Sequence, residues 1–569
     1  MIGSTDDSCI TLGLAVNAQF VAEPQDLIHK QGAAGINVRY KEVPSGICES
    51  TPGVKSFSGY SDVGKDEHLF WYFFETRNGD PKKAPLTVII NGGPGSSSMI
   101  SVFQENGPCH YRNSTGLTYN PYSWNNVSNV LYIDQPVGTG FSYSTAVPGY
   151  VNPNYSDGLS VNLPSENCPD YAQPYGTCGT YSNQNVVKTA NSTQNAAPAF
   201  WKALQGFMGA FDDYACDEFH FATESYGGHY GPVFNEYFLE QNKKSIEGAK
   251  KINIKSVTIN NGWYDPLIQY QAYYNYTVNP GNPYDLDLYN QTIKDEIYNS
   301  LYGPGNCVDQ IRQCYSTGRD DVCSQADDFC SDHVEMPYDV ISGRDEYDMR
   351  ELTPDPFPYE DYVNYLNTPN VLKAIGAFTN YTESSNYVGG TFTVTGDDAR
   401  ESMTIKDLRK LLKAGITVTL WAGDAGYICN YIGGLKVAEL VHHEGFDEAG
   451  FTDLKTPDHK IHGSVRQSGL FSFTRIYQAG HQTAFYSKIS ALAVFNRSIH
   501  GLDIATGDQI ATKDYRTQGP KESPYREGNS TVQYYILPAN STYDYNTNAP
   551  TEQSQQEAKQ ENSDTLLFS

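Results

Sequence analysis

The sequence has no run of 18 or more apolar residues. A helix that crosses a membrane needs about 20, so no segment here has the length and apolarity to span one as a helix. Positive charge is scarce. The 39 Lys and Arg stand against 66 Asp and Glu, a formal net charge of −27. A surface of that sign repels phosphate, which argues against nucleic acid and against an anionic membrane surface as partners. There is no CxxC pair, and His333, just beyond the cluster Cys307, Cys314, Cys323 and Cys330, has no partner at ligand spacing. A structural zinc site is therefore not expected, and disulfides are.

What remains is ample. A chain of 569 residues accommodates one large core plus an insertion. Hydrophobic residues make up 39% and aromatic residues 13%, with 44 Tyr, a composition that supports a packed core rather than a disordered chain. The four clustered Cys read as one stapled region and Cys168 with Cys178 as a second, with the pairing left open. Among 11 Cys there are also 10 Asn-x-Ser/Thr sequons, at Asn113, Asn126, Asn154, Asn191, Asn275, Asn290, Asn380, Asn496, Asn529 and Asn540. Together they point to an oxidising route, secreted or vacuolar, and to N-linked glycans.

The chain divides by composition. Residues 1–39 read as a leader and N-terminal extension. In it the short apolar run Cys9 to Val16 precedes a small-residue stretch, Val16-Asn17-Ala18, that resembles a cleavage site, although Asp6 and Asp7 stand where positive charge is usual. Between 40 and 515, apolar runs such as Leu86 to Asn91, Phe219 to Ser225 and Ile416 to Asp424 alternate with helical stretches. That rhythm predicts an α/β fold with a mostly parallel sheet covered on both faces. It breaks between 270 and 400, where the Cys cluster lies. This stretch is read as an inserted cap, separating a first core part (40–269) from a second (401–515). From 516 to 569 the chain turns to Ser, Thr, Asn, Gln and Tyr, and a weakly ordered extension is expected.

Three segments carry chemistry. In Phe219 to His229 an apolar strand runs into Ser225 and then Gly227-Gly228. A nucleophile elbow has this form, because so sharp a turn tolerates only small neighbours. The usual G-x-S-x-G pattern fails at Thr223, and a lone serine at a strand end is ordinarily unremarkable. Asn91-Gly92-Gly93-Pro94-Gly95 follows another strand, and its glycines free backbone N–H groups to face a ligand. No lysine follows, as a phosphate loop requires. Finally, Tyr477 to His481 is a strand ending in Gly-His, placed last as in the order Ser, acid, His.

Together these segments strongly resemble the serine carboxypeptidases of the carboxypeptidase Y type, with the character of a fungal secreted branch. Glu224 to Pro232, Asn91 to Ser98, Tyr132 to Gly138, Asn260 to Trp263, Tyr365 to Asn367, Asp424 and Cys429-Asn430 carry the likeness over roughly residues 40 to 510. The resemblance implies an α/β-hydrolase fold and release of single residues from peptide C-termini through an acyl-enzyme, at acidic pH and without metal or cofactor. Ser225 is then the nucleophile and His481 the base. The N–H groups of Gly93 and Tyr226 form the oxyanion hole, and Asn91, Glu105 and Glu224 hold the substrate carboxylate. Cys429 is expected as an unpaired thiol near the site.

The sequence departs from the family in three places. Ile89 stands where Trp is usual, and Gln482-Thr483-Ala484 where the His is followed by Met-Val-Pro. Most seriously, the pattern Gly-Asp-x-Asp-x-x-Cys-Asn reads Gly423-Asp424-Ala425-Gly426-Tyr427-Ile428-Cys429-Asn430, so Gly426 replaces the acid that orients the histidine. Asp424 is the nearest carboxylate, but two extended residues span about 6–7 Å, too far without a loop shift. Either the enzyme is weakened, or Asp424 is recruited, or Gly426 is an error in the sequence; the alternative function is that of an impaired relative that binds peptide C-termini.

Overall fold

The computed structural model describes residues 19–151, 160–172, 177–214, 218–401 and 403–568. The proposed leader, Cys9 to Ala18, and the sequon at Asn154 lie outside them. The sheet has twelve strands: β1 (Ile28–Gln31), β2 (Asn37–Val43), β3 (Ser56–Gly64), β4 (Glu67–Phe74), β5 (Leu86–Ile90), β6 (Asn129–Ile133), β7 (Phe219–Glu224), β8 (Ile254–Asn260), β9 (Thr417–Gly423), β10 (Thr452–Lys455), β11 (Ile461–Ser468) and β12 (Phe471–Ile476). Their order is β1-β2-β3-β4-β6-β5-β7-β8-β9-β12-β11-β10. The strands from β6 to β12 in that order pair in parallel and the flanking strands antiparallel. Both faces of β5 and β7 are buried along their whole length, which is why apolar side chains fall on both faces of each.

Helices α1 (Thr193–Ala210) and α2 (Gly227–Lys243) cover one face, with Phe200, Phe207 and Phe234 at that core. Helix α1 starts where the Ser192 hydroxyl accepts from the Asn195 N–H. The opposite face is covered by Lys488–Ile499, whose Phe495 stacks on Trp124 at 4.0 Å. The stretch between β8 and β9 is helical, and two bridges, Cys307–Cys330 and Cys314–Cys323, staple the hairpin of helices Cys307–Thr317 and Asp320–Cys330. Cys168 pairs with Cys178 and Cys48 with Cys109.

Two boundaries differ from the sequence reading. The sheet begins at Ile28, inside the presumed extension, because Gly32 and Gly206 let β1 and α1 touch: a Cβ on Gly32 would meet the Gly206 carbonyl at 2.2 Å. The C-terminal segment is no loose tail. Tyr525 stacks on Tyr477 at 3.6 Å, Gln533 donates its N–H to the Arg350 carbonyl, and Tyr543 packs on Phe357, Phe485 and Tyr486. Composition hid this because the anchors are aromatic residues spaced through a polar stretch.

Several carboxyls are buried, as Asp327 is, or half-buried, as Glu335, Asp345 and Glu383 are. Burial pushes Asp327 up to about 7, Glu335 to about 8, Asp345 to about 9 and Glu383 to about 7, with neighbouring carboxyls adding to each shift. The folded chain holds protons that the unfolded chain releases near pH 4. This stabilisation is complete below that pH and is lost as pH rises through 7 to 9. The thermal midpoint by calorimetry should therefore be higher at pH 5 than at pH 8, by about 5 °C or more. An equal or higher midpoint at pH 8 would show that these groups are ionised in the fold.

Candidate active site

The centre of the site is the turn from β7 into α2. Ser225 sits at φ 58°, a left-handed conformation that costs a non-glycine residue about 1–3 kcal/mol. Backbone bonds hold it there. The Ser225 N–H donates to the Asn260 carbonyl at 3.1 Å, and the Ser225 carbonyl accepts from Trp263 N–H at 2.8 Å and Gly228 N–H at 2.9 Å. The need for small neighbours is visible directly. A Cβ on Gly227 would lie 1.9 Å from the Thr223 hydroxyl and one on Gly228 2.3 Å from the Trp263 carbonyl. Thr223 is tolerated in place of the usual glycine because Gly227 leaves it room.

The glycine loop after β5 presses on this elbow. A Cβ on Gly92 would stand 2.4 Å from the Tyr226 nitrogen and 2.7 Å from Ser225 Cβ, so Gly92 abuts the serine, and Gly93 lines the same cleft. Buried Asp134 ties the loop down, accepting from Ser97 Oγ at 2.7 Å, Ser98 N–H at 2.9 Å and Phe141 N–H at 2.9 Å. Tyr226 is fixed by its hydroxyl, which donates to Asp397 at 2.6 Å, and by its ring, stacked on His229.

Asn91, Glu105 and Glu224 come together. Asn91 Nδ2 donates to Glu224 Oε1 at 2.6 Å and lies 3.5 Å from Glu105 Oε1. Burial raises Glu224 to about 7, and burial with the facing Glu224 carboxyl raises Glu105 well above the carboxylate range. The pair thus holds a proton at acidic pH. Asn260, whose role the sequence did not disclose, joins this cluster to the histidine. Its Nδ2 donates to Glu224 at 3.2 Å and to the His481 carbonyl at 2.9 Å. Its place at a strand end beside Asn261-Gly262 was the available signal. Ile89 is buried below, where it lines a small void with Trp124, Trp421, Glu105 and Glu224.

Ser225, His481, Asn91, Gly93 and Glu224 line one cleft of about 690 Å³. Asp345, Asp355, Glu360 and Glu383 form part of its wall, all with raised affinity for protons through burial. At acidic pH that wall offers hydrogen bonds more than charge. The residues after His481 also find partners. Gln482 donates to Gln104 at 3.1 Å, and the Thr483 hydroxyl donates to Asn260 Oδ1 at 3.0 Å while accepting from the Trp421 indole.

The expectation for Asp424 is corrected. Its carboxylate accepts from Arg475 at 3.0 and 3.2 Å, from the Tyr284 hydroxyl at 2.6 Å and from Gln478 N–H at 2.9 Å. These partners consume both oxygens, and Asp424 does not serve His481. The imidazole Nδ1 lies 3.3 Å from the Ile428 carbonyl, and Nε2 is buried with no partner among the described residues. Cys429 is unpaired and buried, and burial with Glu335, Asp398 and Glu346 keeps it a neutral thiol. Among the described residues no cluster of His, Cys, Asp and Glu is arranged to hold a metal.

The model of the serine carboxypeptidase family matches residues 44–157 and 171–501. The chain belongs to that family. It is 37% identical to carboxypeptidase S1 of Penicillium janthinellum over 81% of this chain and 99% of that one. It is 38% identical to a carboxypeptidase S1 homolog A of Arthroderma otae, over 90% of this chain and 84% of the relative. A prohormone-processing carboxypeptidase of Saccharomyces cerevisiae, Kex1, shares the fold with a TM-score of 0.60 at 20% identity, covering 81% of this chain and 95% of its own. The architecture is that of the α/β hydrolases, and the protein is a serine-type carboxypeptidase. The alternative of a mere binder of C-termini gains no support from these likenesses.

Proposed function

We propose that Ser225, His481, the N–H groups of Gly93 and Tyr226, and the Asn91–Glu105–Glu224 cluster perform the carboxypeptidase reaction in named roles. The observation that carries this is the meeting, in one cleft, of a strained serine and Glu224, whose carboxyl is coupled to that of Glu105 buried behind it. The Glu105–Glu224 pair, being protonated, donates to the substrate's terminal carboxylate instead of repelling it. That contact sets the scissile bond one residue away, over Ser225. His481 Nε2 takes the proton from Ser225 Oγ as the oxygen attacks, and the negative charge on the carbonyl oxygen falls on the two N–H groups. His481 then returns the proton to the leaving amine, and water repeats the sequence on the acyl-enzyme.

Peptides with a free C-terminus are thus the substrates, and the same peptides amidated should be cut at least about 100-fold more slowly at pH 5. Equal rates for both would remove the carboxylate site from the mechanism. The glutamate pair also sets the alkaline limit. As pH rises past about 7 the proton leaves Glu224, and its anion faces the substrate carboxylate while buried Glu105 stays protonated behind it, so KM should climb about tenfold per pH unit. In Glu224→Gln, which keeps a neutral donor, KM should stay flat between pH 5 and 8. A parallel climb in that variant would assign the alkaline limit elsewhere.

Secretion or residence in a vacuolar lumen fits the four disulfides among the described residues and the acidic working range. Asn113, Asn191, Asn290, Asn529 and Asn540 are exposed and suited to carry glycans. Asn380 is not, since it is buried and donates to Asn367.

A further inference from the structure

Gly426 occupies the place of the family's acid in space as well as in sequence. A Cβ built there lies 3.2 Å from the His481 backbone nitrogen, 3.4 Å from its Cα and 3.3 Å from Asn261 Nδ2, and the Gly426 backbone is not left-handed. A carboxylate at this position would stand beside the imidazole. None does. The groups that face His481 come from four elements. The cap segment brings Tyr347, whose ring centre is 5.4 Å away and whose carbonyl accepts the His481 N–H at 2.7 Å, with Asp345 and Glu346 beside it. The turn after β9 brings Ile428 and Cys429. Strand β8 brings Asn260, and β7 brings Glu224 beyond it. Gln482 neighbours His481 along the chain. Asp345 accepts from the N–H groups of Tyr347 and Asp348, Glu224 is held by Asn91 and Asn260, and Asp424 is bound to Arg475. Among the described residues no carboxylate bonds the imidazole, and Nδ1 meets only the Ile428 carbonyl.

We propose that this backbone carbonyl takes the acid's place, positioning His481 in the right tautomer without charging its surroundings, so that the base stays free at the acidity the protonated glutamate pair demands. The inference rests on Ser225 and His481 acting as described above. A carbonyl that accepts from Nδ1–H leaves the Nε2 lone pair for the serine proton, which is half of what a triad acid does. The other half, stabilising the imidazolium by charge, is absent. Burial accordingly pushes His481 down to about 4, with the Ile428 carbonyl opposing this in part. The carbonyl is firmly held. Tyr427 and Ile428 N–H both donate to the Glu346 carbonyl at 3.0 Å, Met349 N–H to the Ala425 carbonyl at 2.9 Å, and Ala425 N–H to the Ala479 carbonyl at 2.8 Å. The base is then neutral above about pH 4, and the glutamate pair keeps its proton below about pH 7. A carboxylate at 426 would raise the basicity of His481 and close part of that window from below.

The test is the acid limb of kcat/KM, measured on a blocked dipeptide with uncharged side chains, for wild type, Gly426→Asp and Gly426→Asn. The wild-type limb should fall near pH 4. In Gly426→Asp it should move up by about two pH units, the shift expected from one charge about 5 Å away at an effective dielectric near 20. Maximal kcat should rise by roughly 100-fold with it. Gly426→Asn, of the same size without the charge, should move the limb by less than about half a unit. An unmoved limb in folded Gly426→Asp overturns the proposal. So does a wild-type limb at pH 6 or above, which needs no variant and would mean that a carboxylate already serves His481. Fluorophosphonate labelling of wild type separates the two readings. Protein that labels at Ser225 but shows either result loses only the role of Ile428, whereas failure to label removes the serine mechanism on which it rests.

Discussion

Ser225→Ala is expected to lower kcat for release of C-terminal residues by about 10⁵–10⁶-fold, the size of effect seen when the nucleophile of a serine hydrolase is removed. Fluorophosphonate labelling should vanish with it. The fold should not suffer, because the Ser225 hydroxyl makes no hydrogen bond among the described residues and alanine meets the same backbone strain at φ 58°. Ser225→Gly should even stabilise the protein by about 1 kcal/mol, since glycine adopts this conformation freely. That pairing distinguishes a catalytic serine from a structural one. A structural serine loses stability when truncated, whereas this one holds strain that only turnover requires. Retained labelling in Ser225→Ala, or a marked loss of stability in Ser225→Gly measured by chemical denaturation, would contradict the assignment.

Asp424→Asn should behave in the opposite way. The Asp424–Arg475 pair is buried, and burial raises the carboxyl while Arg475 and Tyr284 hold it down in part. Removing one partner of a buried pair strands the other, at a cost of about 3–5 kcal/mol. Arg475 keeps the carbonyls of Ser523 and Tyr525 and the faces of Tyr431 and Tyr477, which places the loss at the lower end of that range. Urea unfolding should record it. The acid limb of kcat/KM should stay where it is, because Asp424 does not touch His481. If that limb moves, or if kcat falls more than about tenfold while the protein remains folded, Asp424 acts on the histidine after all.

The sequence determined a good deal alone. Largely apolar stretches at Leu86 to Ile90 and Phe219 to Glu224, alternating with helical ones, announced parallel strands buried on both faces. Gly227 and Gly228 announced a turn too sharp for side chains. These signals are local: hydrophobic period and the room a turn leaves are properties of a few consecutive residues. The tertiary structure decided the rest. It gave Asp424 to Arg475, 51 positions along. It gave His481 to a backbone carbonyl, which has no residue signature at all. It chose Cys307–Cys330 and Cys314–Cys323 over the other pairings, buried Asn380 beneath its own sequon, and laid a polar C-terminal stretch against the core through scattered tyrosines. Each of these depends on which distant segments meet. A buried charge or imidazole must find its partner among whatever the fold brings within about 3 Å, and the order of residues along the chain does not contain that distance.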